Sequence, residues 1–144
     1  MERILDWNKY LDTAAKMVSE GIVMLKNENN ALPLDTDKEV AVFGRIQFHY
    51  YKSGTGSGGM VNVTKVVNIL DGLIDNGVKV NEKLLDTYRK WDKENPFDLG
   101  EGWGGEPWSQ KEMPLDEGLV KETAKSCETA IVIIGRTAGE EQDN

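Results

Sequence analysis

Apolar residues follow two patterns along this chain. Short apolar runs are typical of strands buried in a parallel sheet; the runs are Val40–Phe43, Val78–Val80 (interrupted by Lys79) and Ala130–Ile134. Apolar residues spaced three and four apart are typical of amphipathic helices that pack on such a sheet. Those segments are Tyr10–Lys26, Thr64–Asn76, Asn81–Asn95 and Leu115–Ser126. The pattern predicts the element order helix, strand, helix, strand, helix, helix, strand.

Strands that alternate with helices predict an α/β fold, here a three-layer Rossmann/flavodoxin-like parallel sheet with helices on both faces. Because the loops that leave the carboxyl ends of parallel strands share one edge of the sheet, we expect a ligand site there. Three strands make a small sheet, and its last strand leaves an edge open for pairing. We therefore expect residues 1–144 to form a single, incomplete α/β domain, a fragment of a larger unit, that can self-associate through this edge.

The composition argues against several classes of protein. The 144 residues include 17 Lys and Arg against 25 Asp and Glu, a formal net charge of −8, which disfavours nucleic acid as a partner. No apolar run approaches the ~18 residues that a membrane helix needs. The charged start of the chain does not resemble a signal peptide, and the single cysteine, Cys127, cannot form an internal disulfide. We therefore expect a cytoplasmic protein with neither a membrane nor a nucleic acid as partner.

The loop Gly44–Met60, which follows the first strand, is rich in glycine. Gly54, Gly56 and Gly59 satisfy the spacing G-x-G-x-x-G of dinucleotide-binding loops. That fingerprint requires an immediate turn from strand into helix, whereas about ten residues, Gly44 to Ser53, precede the glycines here. Three interpretations therefore stay open: a flexible loop, a loop whose bare backbone contacts a polar ligand such as a sugar, and a Rossmann-like nucleotide- or ligand-binding module that uses Gly54–Gly59.

The loop Gly135–Asn144, which follows the third strand, is rich in carboxylates. Glu140, Glu141 and Asp143 are compatible with a general acid, a metal site or a solvated turn, and spacing alone favours the turn. A metal site has weak support because no histidine lies nearby in the sequence. His49 is the only histidine in the chain, and we interpret it as a structural or solvent-facing residue rather than as a catalytic base.

A segment without periodicity, Phe97–Met113, interrupts the alternation of elements. It contains four glycines, Pro107 and the two tryptophans Trp103 and Trp108. A loop of this length inside a compact domain is usually functional or mobile. The segment is therefore a candidate part of the ligand site.

Several of these segments, in this order, resemble glycoside hydrolase family 3. The stretch between Ser19 and Leu34 resembles the entry into the second domain of that family. Val40–Gly44 is similar to the first strand of that domain, and Gly54–Gly59 is similar to its glycine-rich loop. Ala130–Glu140 resembles the strand and loop that carry the acid/base glutamate. The resemblance covers the chain apart from the segment that contains the two tryptophans.

The resemblance implies a retaining β-glycosidase, β-glucosidase-like, of which this chain is part of the α/β sandwich domain. Family members pair a TIM-like barrel, which bears a nucleophilic aspartate, with a sandwich domain that closes the site and usually lends the acid/base. The implied substrate is a β-glucoside or oligosaccharide, with no cofactor and no metal. The implied partner is a barrel of the same polypeptide, so we expect no turnover by this chain alone. Because Met1 stands directly before the first helix, the arrangement resembles that of reversed-order members.

The resemblance also assigns roles to individual residues. Glu140 aligns with the acid/base, and Glu141 is the second candidate because this chain reads Gly139-Glu140-Glu141 where many relatives read Gly-Glu-Gly. Stacking on a sugar ring is one role for Trp103 or Trp108, and packing within the domain is the other. The residues assigned to the leaving-group side are Lys52, Ser53, Gly54, Thr55 and Gly56.

Overall fold

The computed structural model describes residues 5–52, 56–59, 61–63, 65–102 and 104–138, and the structural statements below concern these residues. The chain divides into two compact units, residues 1–34 and residues 35–144.

The first unit contains one helix, α1 (Trp7–Gly21), followed by an irregular segment. The Asp6 side chain accepts a hydrogen bond from the Lys9 backbone amide at 3.1 Å, which is the usual way to begin a helix. The helix ends at Gly21, five residues before the Lys26 of the prediction, since Ile22 is already extended with ψ 124°. The β-branched pair Ile22-Val23 favours an extended backbone, and this preference overrides the helical spacing of the apolar residues.

The second unit contains a three-stranded parallel sheet, which confirms the predicted fold class. The strands are β1 (Glu39–Phe43), β2 (Lys79–Val80) and β3 (Thr129–Val132), and they lie in the order β2-β1-β3. Val40 of β1 is the register partner of Val80 on one side and of Thr129 on the other. The central strand is the first in the chain, so its carboxyl end lies in the middle of the sheet edge.

Helices α3 (Glu82–Glu94) and α4 (Glu117–Ser126) contact the central strand, and α2 (Ile69–Asp75) contacts β2 and the turn Arg45–Gln47. On one face, Ala41 and Phe43 of β1 pack with Leu84 and Tyr88 of α3, and with Met113 and Cys127. Val40 and Val42 point to the opposite face, because side chains alternate along a strand, and both are buried. Strand β1 therefore has apolar packing on both faces, as its continuous apolar sequence predicts.

Side-chain caps determine where the helices of the second unit begin. Asn68 accepts a hydrogen bond from the Asp71 amide at 2.7 Å, so α2 starts at Ile69 rather than at the predicted Thr64, which lies outside the described residues. Asn81 caps α3 and Asp116 caps α4 in the same way, each at about the predicted position.

Strand β3 departs from the prediction. The sequence predicts a strand covered on both faces over Ala130–Ile134, but Val132 and Ile134 are 67% and 84% exposed. In the described part of the chain, β3 has a strand neighbour only on its β1 side. The apolar sequence of this strand therefore has less packing here than β1 has.

Candidate active site at the carboxyl edge of the sheet

The loops that follow β1 and β3 leave the sheet side by side. The amide of Ile133 donates to the carbonyl oxygen of Phe43 at 2.8 Å, which continues the strand pairing by one residue. Gly44 then has φ +106°, and a Cβ on this residue would overlap with the Ile133 carbonyl. A Cβ on Gly135 would likewise overlap with the Ile46 side chain. Glycine at these two positions lets the two backbones approach closely at the edge where the sequence predicts a ligand site.

The side chain of Tyr88, in α3, stabilises the backbone bend at Gly44. Its hydroxyl oxygen accepts a hydrogen bond from the Gly44 amide at 3.0 Å, and the side chain is only 1% exposed. Burial raises the pKa of the Tyr88 phenol, with a smaller contribution in the same direction from Glu112 and an opposing one from the Gly44 amide. Tyr88 is therefore a neutral hydrogen-bond acceptor at neutral pH.

Arg45, the first residue after the bend, joins three parts of the fold. It is 1% exposed, and its Nη2 donates to Asp92 Oδ1 and to the carbonyl oxygen of Asn95, both at 2.7 Å. Its Nη1 donates to the carbonyl oxygen of Lys111 at 3.0 Å, and its guanidinium lies 5.0 Å from the centre of the Trp91 ring. These contacts connect the first loop to the end of α3 and to the segment 97–113.

His49 is held in the same cluster. Its Nε2 lies 2.8 Å from Asp92 Oδ2, so Asp92 bridges His49 and the buried Arg45. The imidazole also lies against Phe97, with ring centres 4.7 Å apart. The His49 ring therefore contacts Asp92 and Phe97, while 35% of the side chain stays exposed.

A cavity of about 260 Å³ lies between the first loop and the segment 97–113 and is bordered by Thr137 of the loop after β3; we call it the edge cavity. Aromatic rings form much of its wall, and Glu106 supplies a carboxylate whose buried Oε2 has no hydrogen-bond partner among the described residues. Burial also raises the pKa of the Tyr51 phenol, against smaller opposing effects of Gln110 and Arg45. The cavity is lined by His49, Tyr50, Tyr51, Lys52, Gly59, Phe97, Leu99, Glu106 and Thr137.

The predicted site residues fall into two groups. Lys52 borders the edge cavity, although its Nζ donates to the carbonyl oxygen of Val61 at 2.8 Å. Gly56 opens a short 3-10 turn, Gly56–Gly59, that lies against Gly104. Trp108 contacts the loop after β3 and is absent from the lining of the cavity. The predictions that lie outside the described residues are Ser53, Gly54, Thr55, Trp103, Glu140 and Glu141.

The geometry does not match a dinucleotide-binding loop. The glycine turn begins at Gly56 and is separated from the end of β1 by the 3-10 turn Arg45–Gln47, and α2 begins only at Ile69. The fingerprint works because the N-terminus of a helix directly after the glycines faces the pyrophosphate. The described residues of this loop provide no such helix N-terminus.

Sequence reasoning missed the buried polar residues of this edge, above all Arg45 and Tyr88. One signal for Arg45 was present, since a cation stands between the buried strand and the apolar Ile46 and therefore needs a buried partner. Its partners Asp92, Asn95 and Lys111 are distant in the sequence, so no local pattern identifies them.

Two further properties concern the described residues only. No group of three or more His, Cys, Asp or Glu side chains there is arranged to hold a metal ion. None of the helices described has both the length and the apolar character required to cross a bilayer.

The sequence has close relatives among β-glucosidases. It is 64% identical over 140 residues to a beta-glucosidase of Ruminococcus albus, and it is 32% identical over 144 residues to beta-glucosidase A of Butyrivibrio fibrisolvens. These matches cover 97% and 99% of this chain, but only 15% and 17% of the two relatives. The chain thus spans about a sixth of the length of these proteins.

Solved structures give the same result. A beta-glucosidase from Paenibacillus barengoltzii superposes with a TM-score of 0.87 at 52% identity, over 99% of this chain and 15% of that one. Beta-glucosidase 3B from Thermotoga neapolitana, solved in complex with glucose, superposes with a TM-score of 0.79 at 30% identity, over 96% of this chain and 19% of that one. Residues 22–144 match the family described as the glycosyl hydrolase family 3 C-terminal domain. The chain belongs to glycosyl hydrolase family 3, and it is part of the α/β sandwich domain of that family.

Proposed function

We propose that this chain supplies the acid/base side of the active site of a retaining β-glucosidase. The observation that carries the proposal is the edge cavity, which lies between the first loop and the segment 97–113 and is bordered by Thr137 of the loop after β3. Only Ala138 and Gly139 separate Thr137 from Glu140 in the sequence. In a chain of this family, a carboxylic acid three positions after a residue that borders the cavity fits the role of a general acid.

The reaction requires a second carboxylate from another domain. A barrel aspartate attacks the anomeric carbon while Glu140 donates its proton to the leaving oxygen, so that the glycosidic bond breaks and a glycosyl ester forms. The Glu140 carboxylate then removes a proton from water, which attacks the anomeric carbon and releases the aspartate. Both carboxyls must stand about 5–5.5 Å apart across the scissile bond. Glu141 is the second candidate for the acid/base role.

The edge cavity fits the leaving-group side of such a site. The unpaired Glu106 Oε2 is available to accept a hydrogen bond from a sugar hydroxyl, and the rings of Tyr50 and Phe97 provide apolar surface for a sugar face. Lys52 reaches the same cavity, and the predicted residues Ser53, Gly54, Thr55 and Gly56 continue from it along the loop. Trp103 is the residue that we propose to stack on a sugar face.

The domain arrangement is also proposed. The substrate is a β-glucoside or oligosaccharide, and the nucleophile belongs to a TIM-like barrel of the same polypeptide. The chain alone then has no turnover, because it lacks the attacking aspartate. No cofactor takes part in this chemistry. A cytoplasmic location is consistent with the single buried cysteine, Cys127.

The proposal is tested by comparing Glu140→Ala with Glu141→Ala in the polypeptide that joins this chain to its barrel. We expect Glu140→Ala to lower kcat/KM for phenyl β-glucoside by about 100- to 10,000-fold, the usual contribution of a general acid. With 2,4-dinitrophenyl β-glucoside, whose leaving group needs no acid, azide should raise the turnover of Glu140→Ala and give glucosyl azide, because a small anion attacks the glycosyl ester without a general base. The neighbouring variant Glu141→Ala is the matched control and should retain activity.

Two outcomes contradict the assignment. If only Glu141→Ala shows the loss and the rescue, the acid/base is Glu141. If neither variant is impaired, or the 144 residues alone hydrolyse β-glucosides, the proposed function is wrong. Micromolar binding of a dinucleotide to the chain, with no binding of glucose, would support the ligand-binding module instead.

A further inference from the structure

We propose that Trp108 is a positioning residue for the loop that carries Glu140, which rests on the proposed function of that loop. Trp108 lies in the segment 97–113, which we call the bridging loop, and its contacts are with the exit of β3 rather than with the edge cavity. The role differs from stacking on a sugar, because Trp108 acts through the protein chain and does not touch the substrate.

The first contact is a backbone hydrogen bond. The amide of Thr137 donates to the carbonyl oxygen of Trp108 at 2.9 Å, and Thr137 is only 6% exposed. Beyond Ile133, this is the backbone bond that holds the segment between β3 and Glu140 in the described part of the chain. Only two residues, Ala138 and Gly139, separate Thr137 from Glu140 in the sequence, so we expect a displacement of Thr137 to be passed on to Glu140.

The second contact involves the side chains of the neighbouring residues. The guanidinium of Arg136 lies over the Trp108 indole, 5.7 Å from the ring centre, which is within the range of a cation–π interaction. The two contacts join consecutive residues of the loop, Arg136 and Thr137, to the backbone and to the ring of one tryptophan. Together they restrain both the position and the rotation of the loop.

The bridging loop is itself anchored, so Trp108 can act as a fixed point. The Gln110 side chain forms two hydrogen bonds with the Asp98 backbone. Its Oε1 accepts from the Asp98 amide at 2.8 Å, and its Nε2 donates to the Asp98 carbonyl oxygen at 2.7 Å. Gln110 is 8% exposed, and the adjacent Lys111 carbonyl accepts from the buried Arg45. The carbonyl of Trp108 therefore has a defined place relative to the sheet.

Trp108→Ala removes the ring contact with Arg136 and keeps the carbonyl that Thr137 contacts, so it tests the contribution of the indole. Loss of the indole should affect acid catalysis more than binding. A displaced acid protonates the leaving oxygen poorly, which matters for a poor leaving group such as phenolate and hardly for 2,4-dinitrophenolate. A misplacement of about 1 Å can cost about 100-fold in rate. A merely structural role would instead lower the activity toward both substrates equally.

The experiment measures kcat/KM of Trp108→Ala, in the polypeptide that includes the barrel, for phenyl β-glucoside and 2,4-dinitrophenyl β-glucoside. We expect a loss of about 10- to 100-fold for the first and of less than about threefold for the second. Trp108→Phe retains a ring beneath Arg136 and should recover most of the loss. Ser109→Ala, at the exposed neighbouring residue, is the matched control and should leave both values unchanged.

The outcomes separate this inference from the proposed function. If Glu140→Ala shows the substrate-selective loss while Trp108→Ala lowers both values equally or neither, Trp108 is not a positioning residue and the proposed function stands. If Glu140→Ala and Glu141→Ala both lack selectivity, the proposed function itself fails. Should Trp108→Ala not fold, Arg136→Gln removes the cation of the same contact and is tested with the same two substrates. Equal losses for both substrates would overturn the inference.

Discussion

Two buried polar side chains, Arg45 and Tyr88, determine the backbone path where the first strand ends. Both act on the segment around Gly44. Arg45 joins this segment to Asp92, and the Tyr88 hydroxyl accepts a hydrogen bond from the Gly44 amide. Inside a protein, each such group is stabilising only while its partner is present, because an unpaired buried group loses its hydration without compensation. The loop that begins here is therefore constrained by specific pairs rather than by apolar packing alone.

Tyr88→Phe tests this dependence directly. The change removes the acceptor of the Gly44 amide and leaves that donor unpaired, so we expect the free energy of unfolding to fall by about 1–3 kcal/mol at neutral pH. Urea unfolding measures the change. Tyr10→Phe, at a 52% exposed tyrosine of α1, is the matched control and should be neutral.

The same variant should alter the response to alkali. Burial raises the pKa of Tyr88 above its usual value near 10, so the stabilising effect of the neutral phenol is complete below that pH and is lost as the pH rises through the raised pKa. As the pH rises above about 10, Tyr88→Phe should therefore lose less stability than the parent. The variant should still lose some stability in alkali, because burial also raises the pKa of Tyr51. An unchanged slope would contradict the assignment.

At the scale of elements, the sequence predicts those helices and strands that depend on the spacing of nearby residues. It predicts the strand β1, the approximate starts of α3 and α4 and the parallel order, because apolar runs and helical spacing depend on residues close together in the chain. It misses the early end of α1 at Gly21, where the β-branched Ile22 prevails. The contacts of the bridging loop were also beyond prediction, since they join backbone atoms of segments far apart in the chain.

Another long-range contact that local spacing does not predict is at Gly44. A methyl group there would overlap with the Ile133 carbonyl, and φ +106° is unfavourable for any residue with a Cβ. Gly44→Ala should therefore lower the free energy of unfolding by more than about 1 kcal/mol and move the two loops apart. The same substitution at Gly72, within α2 and with no close neighbour, should be stabilising by about 0.5–1 kcal/mol. Equal effects in thermal unfolding would contradict this account.

At the scale of the whole molecule, much apolar surface is exposed. The exposed set includes Trp7, Ile22, Val23 and Leu25 in the first unit and Val132 and Ile134 at β3, of which Leu25 is 92% accessible. Soluble monomers rarely expose so much, and such surface usually marks an interface. The chain covers about a sixth of the length of its relatives.

The open edge of β3 makes a prediction for the 144 residues on their own. An edge strand with exposed apolar side chains can pair with a second copy, whereas the net charge of −8 opposes association. Salt screens this repulsion, so sedimentation velocity should show dimers or larger species that increase with protein concentration and with ionic strength. Val132→Lys places a charge on the edge strand and should shift the distribution to monomer, while Val63→Lys, with the same change of charge at an exposed loop residue, should have a smaller effect. If the two variants behave alike, association involves a surface other than β3.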